Sequence, residues 1–160
     1  MRKTTLKSLL VVFAAVLTST ACVTTPYVAP QNGPLADLVI RVQPIMGRKY
    51  TLDVYDNDES CSGAKTVVED SGKGSVLATK LHAEKLVTMG YFEVQGNVSC
   101  QYNFSFYPKT DHVYLIDSMS LGNGCRIAML DYTDKKNPTR VPVIRRTEKT
   151  LICLPLDKSK

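Results

Sequence analysis

The stretch Cys100-Gln101-Tyr102-Asn103-Phe104-Ser105-Phe106 has the pattern that decides the fold. Apolar or aromatic side chains alternate with polar ones at every second position. Successive side chains of a β-strand point to opposite faces of a sheet, so this alternation indicates a strand with one buried face. A helix, with 3.6 residues per turn, would scatter these side chains around its axis. The segment is therefore predicted to be a strand that packs on a core.

Similar segments lie on both sides of this strand. They are residues 38–42, 50–54, 85–94, 112–119, 125–131, 141–144 and 151–154. Turn-forming residues separate several of them, for example Gln95-Gly96-Asn97 and Gly122-Asn123-Gly124. Seven or eight short strands at this spacing predict an all-β fold, an antiparallel β-sandwich or a barrel. Leu77 to Leu86 is the one segment that leaves room for a short helix.

The first 21 residues have the three parts of a secretory signal peptide. Basic residues at the start precede an apolar run over 9–17 and a small-residue end, Thr18-Ser19-Thr20-Ala21. At a rise of about 1.5 Å per residue, this apolar run is too short to cross a hydrocarbon layer of about 30 Å. We therefore expect residues 1–21 to direct export and to be removed.

The end of this signal resembles the lipobox of bacterial lipoproteins, because Thr18-Ser19-Thr20-Ala21 is followed by Cys22. The resemblance implies that Cys22 carries a diacylglycerol and an added fatty acid such as palmitate, which together suffice for stable anchoring. Since Val23 and not Asp follows Cys22, it further implies the outer membrane, facing the periplasm. Ser19-x-Ala21 also suits ordinary signal peptidase cleavage, which would leave Cys22 as a free thiol on a secreted or cell-surface protein.

Three further regions follow the signal peptide. Residues 22–35 contain three prolines and no apolar period, which predicts a flexible tether that spans up to about 37 Å over twelve extended residues. Residues 36–156 are long enough to bury a core and too short for two domains, so we expect one domain. Residues 157–160 are a short tail.

Five cysteines occur in the chain, and four remain when Cys22 is set aside. An even number in an exported domain predicts disulfide bonds. If Tyr107 opposes His112 and Ser120 opposes Cys125 in hairpins, Cys100 and Cys125 lie at one end of the domain. A bridge across a flat sheet would be too long, so it would need a twist, a change of sheet or a loop-borne Cys125. We expect Cys100–Cys125 and Cys61–Cys153, with the other two pairings open.

The order Ser99-Cys100, Phe106-Tyr107-Pro108, Tyr114, Cys125 and Ile127 resembles that of small proteobacterial envelope lipoproteins of uncharacterised function. The similarity covers residues 48–155. It implies an Ig-like or transthyretin-like β-sandwich with no known catalytic residue. The chain departs from that pattern at Lys109–Asp111, where such proteins more often have a glycine turn.

Composition and motifs argue against several functions. The net charge is +5, and Arg2, Lys3 and Lys7 of the signal contribute three of these charges, which leaves only about +2. Nucleic-acid binding therefore loses its main support. No Gly-x-Ser-x-Gly, phosphate-binding loop or Cys-x-x-Cys motif occurs. The two histidines, His82 and His112, are expected to be surface residues, and we expect no catalytic residue, no cofactor and no metal site.

These observations predict a noncatalytic binding or structural module of the cell envelope, with a protein or cell-wall partner. The alternative is a small hydrolase or an inhibitor-like factor with a site that residue spacing does not reveal. A deep pocket that joins a histidine to a carboxylate and a hydroxyl would favour the enzyme. A flat exposed patch or an open strand edge would favour binding.

Overall fold

The computed structural model describes residues 24–121, 124–149 and 152–155. These residues form β-strands and connecting loops, with no helix among them. The strands are β1 (Thr25–Pro26), β2 (Leu35–Val42), β3 (Arg48–Asn57), β4 (Ser62–Asp70), β5 (Ser75–His82), β6 (Val87–Gln95), β7 (Val98–Phe106), β8 (Val113–Leu121), β9 (Gly124–Asp131), β10 (Thr139–Arg140), β11 (Ile144–Lys149) and β12 (Ile152–Pro155).

Two sheets pack face to face, which confirms the predicted β-sandwich. The first sheet has the order β1-β4-β3-β6-β7-β11-β12, and the second has the order β10-β9-β8-β2-β5. The sheets are mixed and not wholly antiparallel, because β1 runs parallel to β4 and β2 runs parallel to β8. Leu77 and Leu81 lie in β5 and not in a helix, because Ser75–His82 pairs along its whole length with β2.

The core lies between the two sheets and follows the alternation of the sequence. Its fully buried large apolar side chains are Leu38, Ile40, Tyr50, Leu52, Leu81, Met89, Tyr91, Phe106 and Ile116. Each such side chain contributes roughly 1.5–3 kcal/mol when it leaves water. The core therefore supplies the main stabilisation of the sandwich.

The connection between β7 and β8 crosses from one sheet to the other. The expected hairpin with Tyr107 opposite His112 is therefore wrong, since β7 pairs with β6 and β11, whereas β8 pairs with β2 and β9. Asp111 in this loop has a φ of 60°, a left-handed conformation that aspartate tolerates better than most residues. In contrast, the expected pairing of Ser120 with Cys125 is confirmed.

A disulfide joins Cys61 at the β3–β4 hairpin to Cys153 of β12, as predicted, with a Cα–Cα distance of 5.4 Å. The backbone N–H of Cys153 also donates to the Glu59 carbonyl at 2.7 Å. Cys100 is disulfide-bonded as well. The side chain of Cys125 lies outside the described residues, so the Cys100–Cys125 pairing stays a prediction.

The outer face of the first sheet holds a second buried layer, which is polar. Thr88 and Ser105 are fully buried and their hydroxyls are 2.7 Å apart. The Arg146 Nε donates to Ser105 Oγ at 2.9 Å, and the Tyr55 hydroxyl donates to Asn103 Oδ1 at 3.3 Å. These long side chains cover the polar positions of β7, which the alternation alone would leave in water.

Candidate functional site

The segment 25–34, here called the strap, runs across the seam between the two sheets. Thr25 pairs with Lys65 and Pro26 pairs with Thr66 on β4. The Tyr27 N–H donates to the Thr66 carbonyl at 2.9 Å, and its hydroxyl donates to the Lys80 carbonyl of β5 at 2.9 Å. Tyr27 thus links the outer strand pair of the first sheet to the outermost strand of the second.

The flexible tether expected over 22–35 needs correction in its described part, residues 24–35, for this reason. Its C-terminal end is also fixed, because the Ala83 N–H donates to the Pro34 carbonyl at 2.9 Å. Pro26 has no N–H and lies on the outermost strand, where a missing donor costs no ladder hydrogen bond. The Tyr27 ring packs against the core, and burial raises the pKa of its hydroxyl. The proline-rich composition predicted a flexible segment, but the partly buried Tyr27 and the hydrogen bond at Pro34 fix it to the sandwich.

A cleft of about 270 Å³ opens between the strap, the β3–β4 hairpin and the β5–β6 turn. Here it is called the seam cleft. The polar residues that line it are Tyr27, Tyr55, Asp56, Asp58, Lys65, His82 and Lys85. Apolar residues of the strap, β3, β5, the β5–β6 turn and β6 form the rest of the lining. The cleft therefore brings polar residues and charges of both signs to one place.

An ion pair lies at the rim of the seam cleft. The Lys65 Nζ is 2.7 Å from Asp56 Oδ1, and both side chains are substantially exposed. Gly63 permits this position of Asp56, because a Cβ at residue 63 would lie 2.9 Å from the Asp56 Cβ. An exposed ion pair contributes at most about 1 kcal/mol, so a charged ligand could exchange for either partner at little cost. The rim is thus suited to a ligand with a charged group.

The two histidines lie in different surroundings. His82 lines the seam cleft, whereas His112 lies near the end of β9, with its Nδ1 at 2.7 Å from Asp131 Oδ2. The His112 ring stacks on Tyr114 with centroids 6.1 Å apart. Burial alone would raise the pKa of Asp131, but hydrogen bonds from Thr133 and His112 outweigh it and lower that pKa. This pair joins the β7–β8 loop to β9.

The site residues predicted from the sequence have different outcomes. Cys61 and Cys153 are joined, Cys100 is in a disulfide, and Cys22 lies outside the described residues. The cleft residues Lys65 and Lys85 were not found from the sequence, because β4 and the β5–β6 turn meet only through the sheet topology. Tyr27 was the available signal, as the one aromatic residue in a proline-rich segment.

Among the described residues, no helix has both the length and the apolar character to cross a membrane. Comparison of the sequence with protein-family models finds no match, and comparison with curated proteins finds none either.

Proposed function

We propose that the protein is a noncatalytic binding module of the bacterial envelope. In this proposal a lipid on Cys22 holds it at the outer membrane, facing the periplasm, and its partner is an envelope protein or a cell-wall polymer. The observation that carries the binding role is the seam cleft, which collects tyrosines, lysines and aspartates from four separate parts of the chain.

The form of the cleft favours a partner that inserts one charged group. Its volume of about 270 Å³ is slightly smaller than the range of ligand pockets, which span about 300–1,000 Å³. A whole cofactor or large substrate would not fit, whereas an amino-acid side chain or a chain terminus of a larger partner would. Either Lys65 or Asp56 can give up its contact with the other residue and bind such a group instead.

The edge of the second sheet lies next to the cleft and extends the binding surface. β5 is the outermost strand of that sheet, and its Lys80 carbonyl points away from β2 to the Tyr27 hydroxyl. In an antiparallel pair the residues at every second position share this outward direction, so the backbone of Ala78 and Val76 faces outward too. An extended peptide could pair with this edge while one of its side chains enters the cleft.

Photocrosslinking in the native envelope tests this proposal. A photoreactive amino acid replaces Lys85 in the cleft, and the same residue replaces Met46, which is 96% exposed in the β2–β3 turn, as the matched control. We expect an adduct with one partner from position 85 only, and its loss when Lys65→Glu is added. Adducts of the same kind from both positions, or none from position 85, would contradict a binding role for the cleft.

One observation favours the second candidate, a small hydrolase. The His112–Asp131 contact holds an imidazole by a carboxylate, as in catalytic triads. Two hydroxyls lie nearby. The Tyr114 hydroxyl accepts a hydrogen bond from the Lys109 N–H, and the Thr133 hydroxyl accepts one from the Val113 N–H. A fluorophosphonate probe that labels the purified protein, but not its His112→Gln variant, would favour the hydrolase over the binding module.

A further inference from the structure

The docked strap leaves very little free chain between the expected lipid and the folded domain. Pairing with β4 begins at Thr25, three residues after Cys22. Three residues span at most about 11 Å when fully extended. The domain is therefore held far closer to the anchor than the 37 Å that a free tether of twelve residues would allow.

The direction of β1 defines which end of the sandwich is nearest the anchor. β1 runs parallel to β4, so the chain before Thr25 leaves toward the start of β4, where the β3–β4 hairpin lies. The start of β6 is at the same end, because Val54 near the end of β3 pairs with Met89. His82 is there as well, five residues before β6 begins at Val87. This end of the sandwich, which contains the seam cleft, is here called the anchor end.

The opposite end, here called the far end, carries the β2–β3, β4–β5 and β6–β7 turns. In β2, Leu35 lies at the anchor end, and Val42, seven positions later, lies at the far end. At about 3.3 Å per residue this separation is roughly 23 Å. The short link and the length of the strands together give the two ends different distances from the lipid.

We infer that the anchor end of the sandwich is the surface that faces the phospholipid bilayer, so that the seam cleft meets partners at the membrane surface. This inference rests on the proposed lipid at Cys22. The bilayer is the surface that this end meets, because Thr25 is only three residues after the proposed lipid attachment site at Cys22. The cleft rim carries charges of both signs, so the covalent link and not electrostatic attraction holds this end in place. The orientation should therefore persist at high salt.

Single-tryptophan variants test the orientation, since the chain contains no tryptophan. Val28 in the strap is 80% exposed and Met46 in the β2–β3 turn is 96% exposed, so each accepts the larger ring. The full lipoprotein is purified from membranes and reconstituted into phospholipid vesicles with a headgroup-linked fluorescence quencher. We expect several-fold stronger quenching for Val28→Trp than for Met46→Trp, at low and at high salt.

A longer link provides the control. Ten Gly/Ser residues inserted between Val23 and Thr24 add a root-mean-square length of about 17 Å. In this variant quenching of Val28→Trp should fall toward the level of Met46→Trp. Equal quenching of the two positions in the normal chain, with lipid present on Cys22, would overturn this inference alone. A Cys22 without lipid, shown by mass spectrometry of the same sample, would overturn both the inference and the proposed anchor.

Discussion

Removal of the Glu93 charge should strongly destabilise the domain. Glu93 and Arg48 are almost completely buried, at 2% and 1% exposure, in strands β6 and β3 of the first sheet. The Arg48 Nη1 is 3.8 Å from Glu93 Oε1, and the Tyr91 hydroxyl donates to Glu93 Oε2. Glu93→Gln keeps a carbonyl that can accept the Tyr91 hydrogen bond. The substitution therefore isolates the loss of the charge.

The expected loss of unfolding free energy follows from the distance between the Arg48 and Glu93 charges and from their burial. At an effective dielectric constant of about 20, unit charges at this separation attract by about 4 kcal/mol. Removal of one member of a buried ion pair typically costs about 3–5 kcal/mol, because the other charge stays in the interior without it. Arg48→Met removes the opposite charge of the same pair and should also be strongly destabilising.

Urea unfolding measures these effects. Glu69→Gln, the same change at an exposed position of β4, should alter the unfolding free energy by less than about 0.5 kcal/mol. The double variant Arg48→Met with Glu93→Gln should cost less than the two single changes together, because it removes both charges and leaves neither of them buried without the other. A Glu93→Gln cost below about 1 kcal/mol, or strict additivity in the double variant, would refute the reasoning.

Three further perturbations have defined outcomes. Cys61→Ser with Cys153→Ser opens a bridge with a sequence separation of 92, so chain entropy predicts a loss of about 4–5 kcal/mol in thermal or urea unfolding. A nonreducing peptide map should recover Cys61–Cys153 together with Cys100–Cys125, and a different partner for Cys100 would show the second pairing to be wrong. Tyr27→Phe removes the hydrogen bond to the Lys80 carbonyl and should cost about 0.5–1.5 kcal/mol, with faster amide exchange in the strap and unchanged exchange in β8. Burial raises the pKa of Asp53. A hydrogen bond with Thr66 opposes this rise, and the nearby Glu69 adds to it. Ionisation of Asp53 therefore lowers stability as the pH rises above about 4, so Asp53→Asn should gain relative stability from pH 4 to 7, and a constant difference would contradict this.

The alternation of apolar residues was sufficient to predict the sandwich and most of its core. Leu38, Ile40 and Phe106 are buried as expected, because period-two patterning directly reflects which face of a strand leaves water. It did not reveal the sheet change after β7, since a loop of this length can either close a hairpin or cross between sheets. The number of strands was also too low. β1 and β10 have only two residues each, and the longer strands β4 and β5 were not among the expected segments.

The polar layer and the seam cleft were beyond local patterning for a different reason. Asn103 and Ser105 looked like solvent positions, yet Tyr55 and Arg146 cover them from strands that are distant in sequence. The cleft likewise combines Lys65 of β4 with Lys85 of the β5–β6 turn and with the strap. Such sites arise from the order of strands in the sheets, which the sequence pattern of a single strand does not contain.

Both the proposed function and the orientation at the membrane depend on the lipid at Cys22, and the mass of the N-terminal peptide of the mature protein tests it directly. The protein is extracted from the membrane fraction of its own host, digested, and analysed by mass spectrometry. We expect a mature chain that begins at Cys22 and carries a diacylglycerol and an amide-linked fatty acid, with no such peptide from the Cys22→Ser variant. A mature chain that begins at an unmodified Cys22, or at another residue, would contradict it.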